Sequence, residues 1–236
     1  RGMLEAMDHK EKPTHVLLMD DDVMILPESL IRTYNLLKII RPEYEHHFIS
    51  GAMLFYEQMN FLYEDVGFMD HEGTYGPLKD RVDTRKIEDV LRCEEMIHEP
   101  KNAYAGWWYC CIPMEFVRKD NLPLPVFVRG DDVEYSLRNK AKFITLSGIC
   151  IWHMGFTNKF NGAIEFYQVH RNTLMLQAAS GVCQNVDIMT RIRKLVRVNL
   201  LRFNYDGAEL LLDAVEDYMK GYKFFMKNQG EKLLKE

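Results

Sequence analysis

Short apolar segments alternate with amphipathic helical patterns over the first 160 residues of the chain, an order that few folds accommodate. The segments THVLLMD, HFISGAMLFYE and AKFITLSGICIWHMG predict strands, the first because it is short and apolar and the second because it contains β-branched and aromatic residues. YAGWWYCCIP is predicted as an aromatic strand that ends at Pro113. Gly51, inside the second strand, predicts a bulge or a close backbone approach. Strands that alternate with helices predict an α/β sheet.

Beyond residue 161 the pattern becomes helical throughout. Residues 162–180, 185–203 and 207–227 carry apolar side chains at three-and-four spacing. We therefore predict two parts, an α/β catalytic core over residues 1–160 and a C-terminal helical region over residues 161–236. A chain of 236 residues, 47% of them hydrophobic, is long enough to bury a substantial core.

Charge and cysteine content limit the classes of partner and compartment. A formal net charge of −5 disfavours a nucleic-acid partner. Five cysteines form no C-x-x-C pair, and with no signal-peptide pattern they predict reduced thiols in a cytoplasmic protein. No apolar run approaches the roughly 20 residues of a membrane span. The cationic segment RIRKLVRVNLLR is most simply a solvated helix face; peripheral contact with an anionic membrane surface is the alternative.

Three consecutive aspartates, Asp20, Asp21 and Asp22, follow the first predicted strand directly. Crowded carboxylates repel one another unless a positive group pairs with them. In an extended segment residues two apart point to the same side, so Asp20 and Asp22 can face one hard cation. Capping of the next helix is the simpler interpretation, but one cap uses one carboxylate. We therefore favour metal or phosphate chemistry at this strand end, where open α/β sheets bind ligands.

A second acidic pair, Asp131 and Asp132, precedes a predicted helix in RGDDVEYSLR. Stabilisation of the helix N-terminus explains one of the two carboxylates. The other is available as a general base if it faces a substrate hydroxyl. Taken alone, the capping interpretation is the stronger one.

His153 closes the last predicted strand, in CIWHMG. A partnered structural histidine is the simpler interpretation. With a carboxylate pair, however, one imidazole suits a borderline ion such as manganese better than the all-oxygen shell that magnesium prefers. Of Trp107 and Trp108, strand alternation predicts one core residue and one flat face for a sugar ring. His170 lies on a predicted helix with no metal partner nearby in sequence, which leaves a polar site role open.

Taken together, these motifs resemble those of glycosyltransferase family 2 enzymes of the GT-A fold, and most closely the galactofuranosyltransferase-like branch. MDDDV resembles the metal-binding D-x-D region, GWWYCCIP the acceptor segment and FVRGDDVEYSLR the catalytic-base motif, while IWHMG and HRN resemble the later histidine motifs. The five motifs occur in the family's order over residues 16–172. The resemblance implies a GT-A type mixed sheet flanked by helices, truncated at its N-terminus before the metal-binding strand, with a C-terminal helical region.

The resemblance also implies a role for each matching residue. Asp20, Asp22 and His153 would hold Mn²⁺ or Mg²⁺ against the donor diphosphate. Asp21 would lie beside the nucleotide sugar, and Asp131 would be the base that deprotonates the acceptor hydroxyl. The residues implied to bind substrate are Trp107, Trp108, Asp132 and His170.

The function implied is that of a metal-dependent inverting glycosyltransferase in cell-wall or surface polysaccharide synthesis. Its partners would be a UDP-sugar donor, with UDP-galactofuranose as the first expectation, and a glycan or glycolipid acceptor. A hexose or rhamnose donor is an alternative within the class. Outside it we weigh a non-catalytic carbohydrate-binding module and a metal-dependent phosphoesterase, although the latter needs a two-metal ligand set. The C-terminal helices could also pair with a second subunit to form a homo-oligomer.

Overall fold

The computed structural model describes residues 2–79, 82–95, 101–156, 160–181 and 185–227, which fall into two compact units. The first unit comprises Arg1–Phe68, Tyr75–Leu122 and Asn139–Gly155, and the second comprises Met69–Thr74, Pro123–Arg138 and Phe156–Glu236. The units interleave along the chain. A division of function at residue 160 stays a prediction.

The first unit is built on a mixed sheet. The strands among the described residues are β1 His15–Leu18, β2 Met24–Ile25, β3 Phe48–Phe55, β4 Leu62–Glu64, β5 Gly67–Met69, β6 Tyr75–Pro77, β7 Ala103–Tyr104, β8 Cys110–Pro113 and β9 Phe143–His153. Six of them form a sheet in the order β1-β8-β3-β9-β2, with β4 beside β3, and a small sheet has the order β6-β5-β7. Only β3 and β9 pair in parallel among the described pairs of the large sheet. Strands β1, β3 and β9 consequently run in one direction, and their carboxyl ends lie at the same end of the sheet.

Helices occupy both units. In the first unit these are α1 Gly2–Asp8, α2 Pro27–Ile39 and α3 Ile87–Glu95, of which α2 and α3 pack against β9. In the second they are α4 Asp131–Arg138, a π-helical segment Ala163–Gln168, α5 Val169–Ser180, α6 Asn185–Leu201, α7 Tyr205–Met219 and α8 Tyr222–Lys227. Helix α7 packs against α5, α6 and the π-helical segment. The prediction of a mixed α/β fold with helices flanking the sheet and a helical C-terminal region is confirmed, and the GT-A assignment stays a prediction.

Strand β3 shows why this sheet is tightly packed. Seven of its eight residues are buried, as expected of a continuous apolar run inside a sheet. A Cβ atom on Gly51 would lie 2.5 Å from the Tyr109 ring, and the β3–β9 register shifts between Ser50 and Ala52. The register shift confirms the predicted bulge at Gly51, and the group that crowds this glycine is the Tyr109 side chain.

The prediction that YAGWWYCCIP forms one strand is wrong. The segment contains the last residue of β7 and all of β8, and both tryptophans lie in the turn between these strands. Within this turn the Trp108 ring lies over Gly106, so closely that a Cβ atom there would lie 2.3 Å from it. Because both tryptophans lie in a turn, the alternation of strand side chains does not apply to them.

Two further features concern the cysteines and the length of the helices. Four cysteines take part in no disulfide: Cys93, Cys110, Cys111 and Cys150. Cys183 lies outside the described residues. Within the described part of the chain, no helix combines the length and the apolar character required to cross a membrane.

Candidate functional site

The acidic turn, residues 19–23, joins β1 to β2 in the first unit. Strand β2 pairs antiparallel with the end of β9, with Met24 opposite Trp152. If this register is continued for two residues before Met24, Asp22 lies beside the end of β9, which is His153. The Nε2 atom of His153 is 3.2 Å from Oδ1 of Asp22. Strand pairing therefore joins residues that are far apart in sequence.

The structure brings together the three residues predicted to hold a metal. One ligand atom from each of Asp20, Asp22 and His153 lies within 4.8 Å of the other two. The carboxylates are exposed, whereas only 4% of the His153 surface is accessible to solvent. Asp21 lies in the same exposed turn but outside this cluster. The three residues thus offer a set of candidate metal ligands that consists of two exposed carboxylate oxygens and the nitrogen of a buried imidazole.

The hydrogen bond at Nδ1 of His153 indicates whether these three residues suit a cation. Nδ1 of His153 is 2.6 Å from the carbonyl oxygen of Met154, which can only accept, so Nδ1 carries a proton. In a neutral ring Nε2 then presents a lone pair to the Asp22 carboxylate, and two acceptors in contact require a cation or a second proton. A backbone carbonyl on the far nitrogen is also how metal-binding histidines are held. Nitrogen and carboxylate donors together fit a divalent ion.

The tryptophan turn, residues 105–109, lies at the same end of the sheet as the acidic turn. Strand β8 runs antiparallel to β1 with Cys110 opposite Leu18, so the residues before β8 lie beside the residues after β1. Trp108 is buried and donates from Nε1 to the Gly51 carbonyl at 3.2 Å, whereas Trp107 is half-buried. A role for either ring in substrate binding stays a prediction.

Tyr109 anchors the tryptophan turn, a role that the sequence did not reveal. Its ring is fully buried, and its hydroxyl is 2.7 Å from Oγ1 of Thr33 and donates to the Ser29 carbonyl at 3.2 Å. Burial raises the pKa of Tyr109, so the hydroxyl keeps its proton. The small residue at position 51, which makes room for this ring, was the only signal available in the sequence.

The base loop, residues 128–131, belongs to the second unit. Asp131 is the first residue of α4, where the helix dipole favours a carboxylate, and Asp132 follows in the same turn. Both side chains are half-buried, and Oδ1 of Asp132 accepts from the Val133 amide at 2.7 Å. Arg129 and Gly130 precede them with φ of 67° and 88°. Arginine rarely adopts this left-handed conformation, which costs on the order of 1–3 kcal/mol.

His170 is 5% exposed on α5. Burial and the neighbouring Arg191 lower the pKa of His170 to about 4, so its ring is neutral at neutral pH. Nη2 of Arg191 lies 3.4 Å from Nε2 of the ring, and Nη1 donates to the Gly73 carbonyl at 2.8 Å. A substrate-binding role for His170 stays a prediction.

The arginine beside His170 also corrects the interpretation of the cationic segment. Arg191 is half-buried and hydrogen-bonded within the second unit, so a solvated helix face is the wrong interpretation for it. Arg193, Lys194, Arg197 and Arg202 are exposed. Peripheral membrane contact and self-association both stay predictions.

Comparisons with known proteins point to one enzyme class. No protein-family model matches the chain. The galactofuranosyltransferase GlfT2 of Mycolicibacterium smegmatis is 26% identical over 242 residues, which cover 94% of this chain and 35% of that protein. GlfT2 of Mycobacterium tuberculosis is 26% identical over 245 residues, or 94% of this chain and 36% of that protein. The chain thus spans about a third of the length of these curated relatives. The similarity relates it to glycosyltransferases.

Proposed function

We propose that this chain is part of a metal-dependent inverting glycosyltransferase that acts in cell-wall or surface polysaccharide synthesis. Its donor would be a UDP-sugar, with UDP-galactofuranose as the first expectation, and its acceptor a glycan or glycolipid. The observation that carries the proposal is the cluster of Asp20, Asp22 and His153, in which Nε2 of the buried imidazole lies 3.2 Å from the Asp22 carboxylate. Similarity to two galactofuranosyltransferases supports the choice of sugar.

In this proposal the cluster holds Mn²⁺ or Mg²⁺. A bound divalent ion supplies positive charge to a diphosphate leaving group when its bond to the sugar breaks, which is when the negative charge is greatest. The hydrogen bond from His153 to the Met154 carbonyl keeps the imidazole oriented for this task. Asp21, exposed in the same turn, is assigned to the donor nucleotide sugar.

Asp131 is proposed as the general base. It takes the proton of the acceptor hydroxyl while that oxygen attacks the anomeric carbon from the face opposite the nucleotide, so the configuration inverts. Its place in the first turn of α4 puts the carboxylate where the helix dipole favours negative charge. Asp132, Trp107, Trp108 and His170 are assigned to binding of the acceptor or of the donor sugar.

Calorimetry on the full-length protein tests the metal site. The wild-type protein is titrated with Mn²⁺ and then with UDP in the presence of Mn²⁺, alongside Asp22→Ala and a matched control, Asp21→Ala. We expect Asp22→Ala to weaken Mn²⁺ binding by at least about tenfold, since it removes one ligand of three. The control should bind Mn²⁺ like the wild type, because Asp21 lies outside the cluster. Equal Mn²⁺ affinities for the wild type and Asp22→Ala would discard the site.

Transfer assays test the choice of donor and the alternative of a non-catalytic carbohydrate-binding chain. The full-length protein is supplied with UDP-galactofuranose, UDP-galactose or a nucleotide-activated rhamnose, together with a galactan acceptor and Mn²⁺. We expect product from UDP-galactofuranose and little from the other donors. Product from the hexose or rhamnose donor alone would reassign the sugar. Acceptor binding without product from any donor, and without a metal requirement, would favour the binding module.

A further inference from the structure

The base loop has an uncommon backbone conformation. Arg129 and Gly130 occupy the left-handed region one after the other, immediately before Asp131. Glycine adopts this region freely, but an arginine there persists only if surrounding groups hold it. The position of the Asp131 carboxylate therefore depends on the side chains that contact residues 128–130.

One side chain contacts two successive carbonyl groups of this loop. Asn172 lies on α5 and is 2% exposed. Its Nδ2 atom donates to the carbonyl oxygens of Val128 at 2.6 Å and of Arg129 at 2.8 Å. Both amide hydrogens are thus used to fix the peptide groups on either side of the left-handed Arg129. No other residue type of this size offers two donors from one planar nitrogen.

The residue before Asn172 fixes the orientation of that amide. Arg171, 1% exposed, donates from Nε and Nη2 to Oδ1 of Asn172 at 3.3 and 3.2 Å. A flipped amide would turn its NH₂ group toward the guanidinium and its oxygen toward two carbonyl oxygens, and both contacts would be repulsive. The rings of Tyr167 and Phe225 lie 5.5 and 5.3 Å from the guanidinium and hold it in place.

The Arg129 side chain provides a second attachment. It lies 3.1 Å from Glu165 and 4.4 Å from the centroid of the Phe156 ring. These contacts hold the side chain, whereas Asn172 holds the backbone. Since the backbone sets where α4 begins, the amide has the more direct influence on Asp131.

We propose that Asn172 is a positioning residue for Asp131, which it aims by holding the carbonyl groups of residues 128 and 129, with Arg171 orienting its amide. The inference rests on the proposed function, in which Asp131 is the general base. It adds to that function a residue that touches neither the donor nor the acceptor.

The decisive variant is Asn172→Asp in the full-length protein. Aspartate keeps the size of the side chain and the contact with Arg171, but it cannot donate to the two carbonyl groups. We expect kcat for transfer to fall by about 10–100-fold, because a small misplacement of a catalytic group costs that much. The affinity for UDP in the presence of Mn²⁺ should not change. The matched control, Ser180→Ala, removes a hydrogen bond to the Leu176 carbonyl on the same helix and should keep kcat within about twofold.

A second pair of variants separates positioning from general damage to the fold. Asn172→Ala should lower kcat like Asn172→Asp. Adding Arg129→Gly to Asn172→Ala should recover about threefold or more, since glycine adopts the left-handed region without strain. Amide hydrogen exchange over residues 128–134 should be faster in both single variants of Asn172 and unchanged in Ser180→Ala.

The inference is overturned by a wild-type kcat in Asn172→Asp, by unchanged exchange over residues 128–134, or by a failure of Arg129→Gly to recover any activity. A wild-type protein that transfers no sugar from any donor would instead refute the proposed function. In that case the exchange data alone decide whether Asn172 holds the loop.

Discussion

The acidic turn of the first unit and the base loop of the second both present aspartates, but they are held by different means. The turn lies between β1 and β2, and backbone pairing on either side places Asp22 beside His153. The Asp20 and Asp22 carboxylates of this turn are exposed. The base loop has two successive residues in the left-handed region. The buried amide of Asn172, which is distant in sequence, donates hydrogen bonds to its carbonyl groups.

This difference predicts how each region responds to substitution. A turn fixed by strand pairing keeps its conformation when its side chains change, so its chemistry can be altered without a loss of stability. A loop fixed by side chains depends on particular residues elsewhere in the sequence. We therefore expect substitutions near the base loop to affect activity and stability together, and substitutions within the acidic turn to affect ligand binding alone.

The largest effect is expected from Asp131→Asn. The carboxamide has nearly the same shape but cannot take a proton, so the rate of transfer should fall by about 10²–10⁴-fold. Single-turnover transfer by the full-length protein, with UDP affinity measured in parallel, gives the result. UDP affinity should be retained. Asp120→Asn, at an exposed aspartate beside Arg118, is the control. Normal transfer by Asp131→Asn would assign the base to another residue.

Next in size is a pH effect on the helices that support the base loop. The pKa of His170 is lowered to about 4 in the folded protein, whereas an unfolded chain returns it to about 6.5. The unfolded state therefore binds more protons between these values, and the free energy of unfolding falls as the pH is lowered from 6.5 to 4. The loss is up to about 3 kcal/mol, at 1.36 kcal/mol per pKa unit.

Urea unfolding at several pH values measures this effect. His170→Asn should show a shallower fall of the free energy of unfolding below pH 6.5 than the wild type. His71→Asn removes an exposed imidazole of the same unit and should follow the wild type. An unchanged pH dependence in His170→Asn would mean that acid does not act on the second unit through this ring.

A smaller effect tests the close packing beneath the edge of the first sheet. Gly51→Ala places a methyl group 2.5 Å from the buried Tyr109 ring, so the ring that anchors the tryptophan turn must shift. Overpacking of this kind costs about 1–3 kcal/mol. Gly76→Ala is the control, because nothing lies within 4 Å of its added Cβ. Equal free energies of unfolding for the two variants would show that the sheet edge adapts without cost.

The acidic turn and the base loop also differ in how well the sequence predicts them. The positions of several strands are readable from short apolar segments, and the end of a strand is where acidic residues and an imidazole can meet. The structure accordingly brings Asp20, Asp22 and His153 together. Local patterns do not reveal that Trp108 folds back over Gly106, which depends on contacts specific to that turn.

The supports of the base loop were missed for a different reason. Asn172 lies on another helix, and its hydrogen bonds to Val128 and Arg129 join residues more than 40 positions apart. Arginine at position 129 gives no signal of a left-handed conformation, which is uncommon in that residue. The inward orientation of Arg191 was hidden because neighbouring cations on α6 are exposed. Periodicity reports which face of an element is apolar and not which polar side chains satisfy one another.

The smallest effect is expected within the acidic turn. Asp22 is about half exposed, with 51% of its side chain accessible, and its contact with His153 is screened by water, so Asp22→Asn should change the free energy of unfolding without metal by at most about 1 kcal/mol. Asp21→Asn, in the same turn, should change it by no more. Urea unfolding in the presence of a chelator provides the measurement. A loss of several kcal/mol in Asp22→Asn alone would mean that the carboxylate holds the turn, and the two regions would then depend on their side chains in the same way.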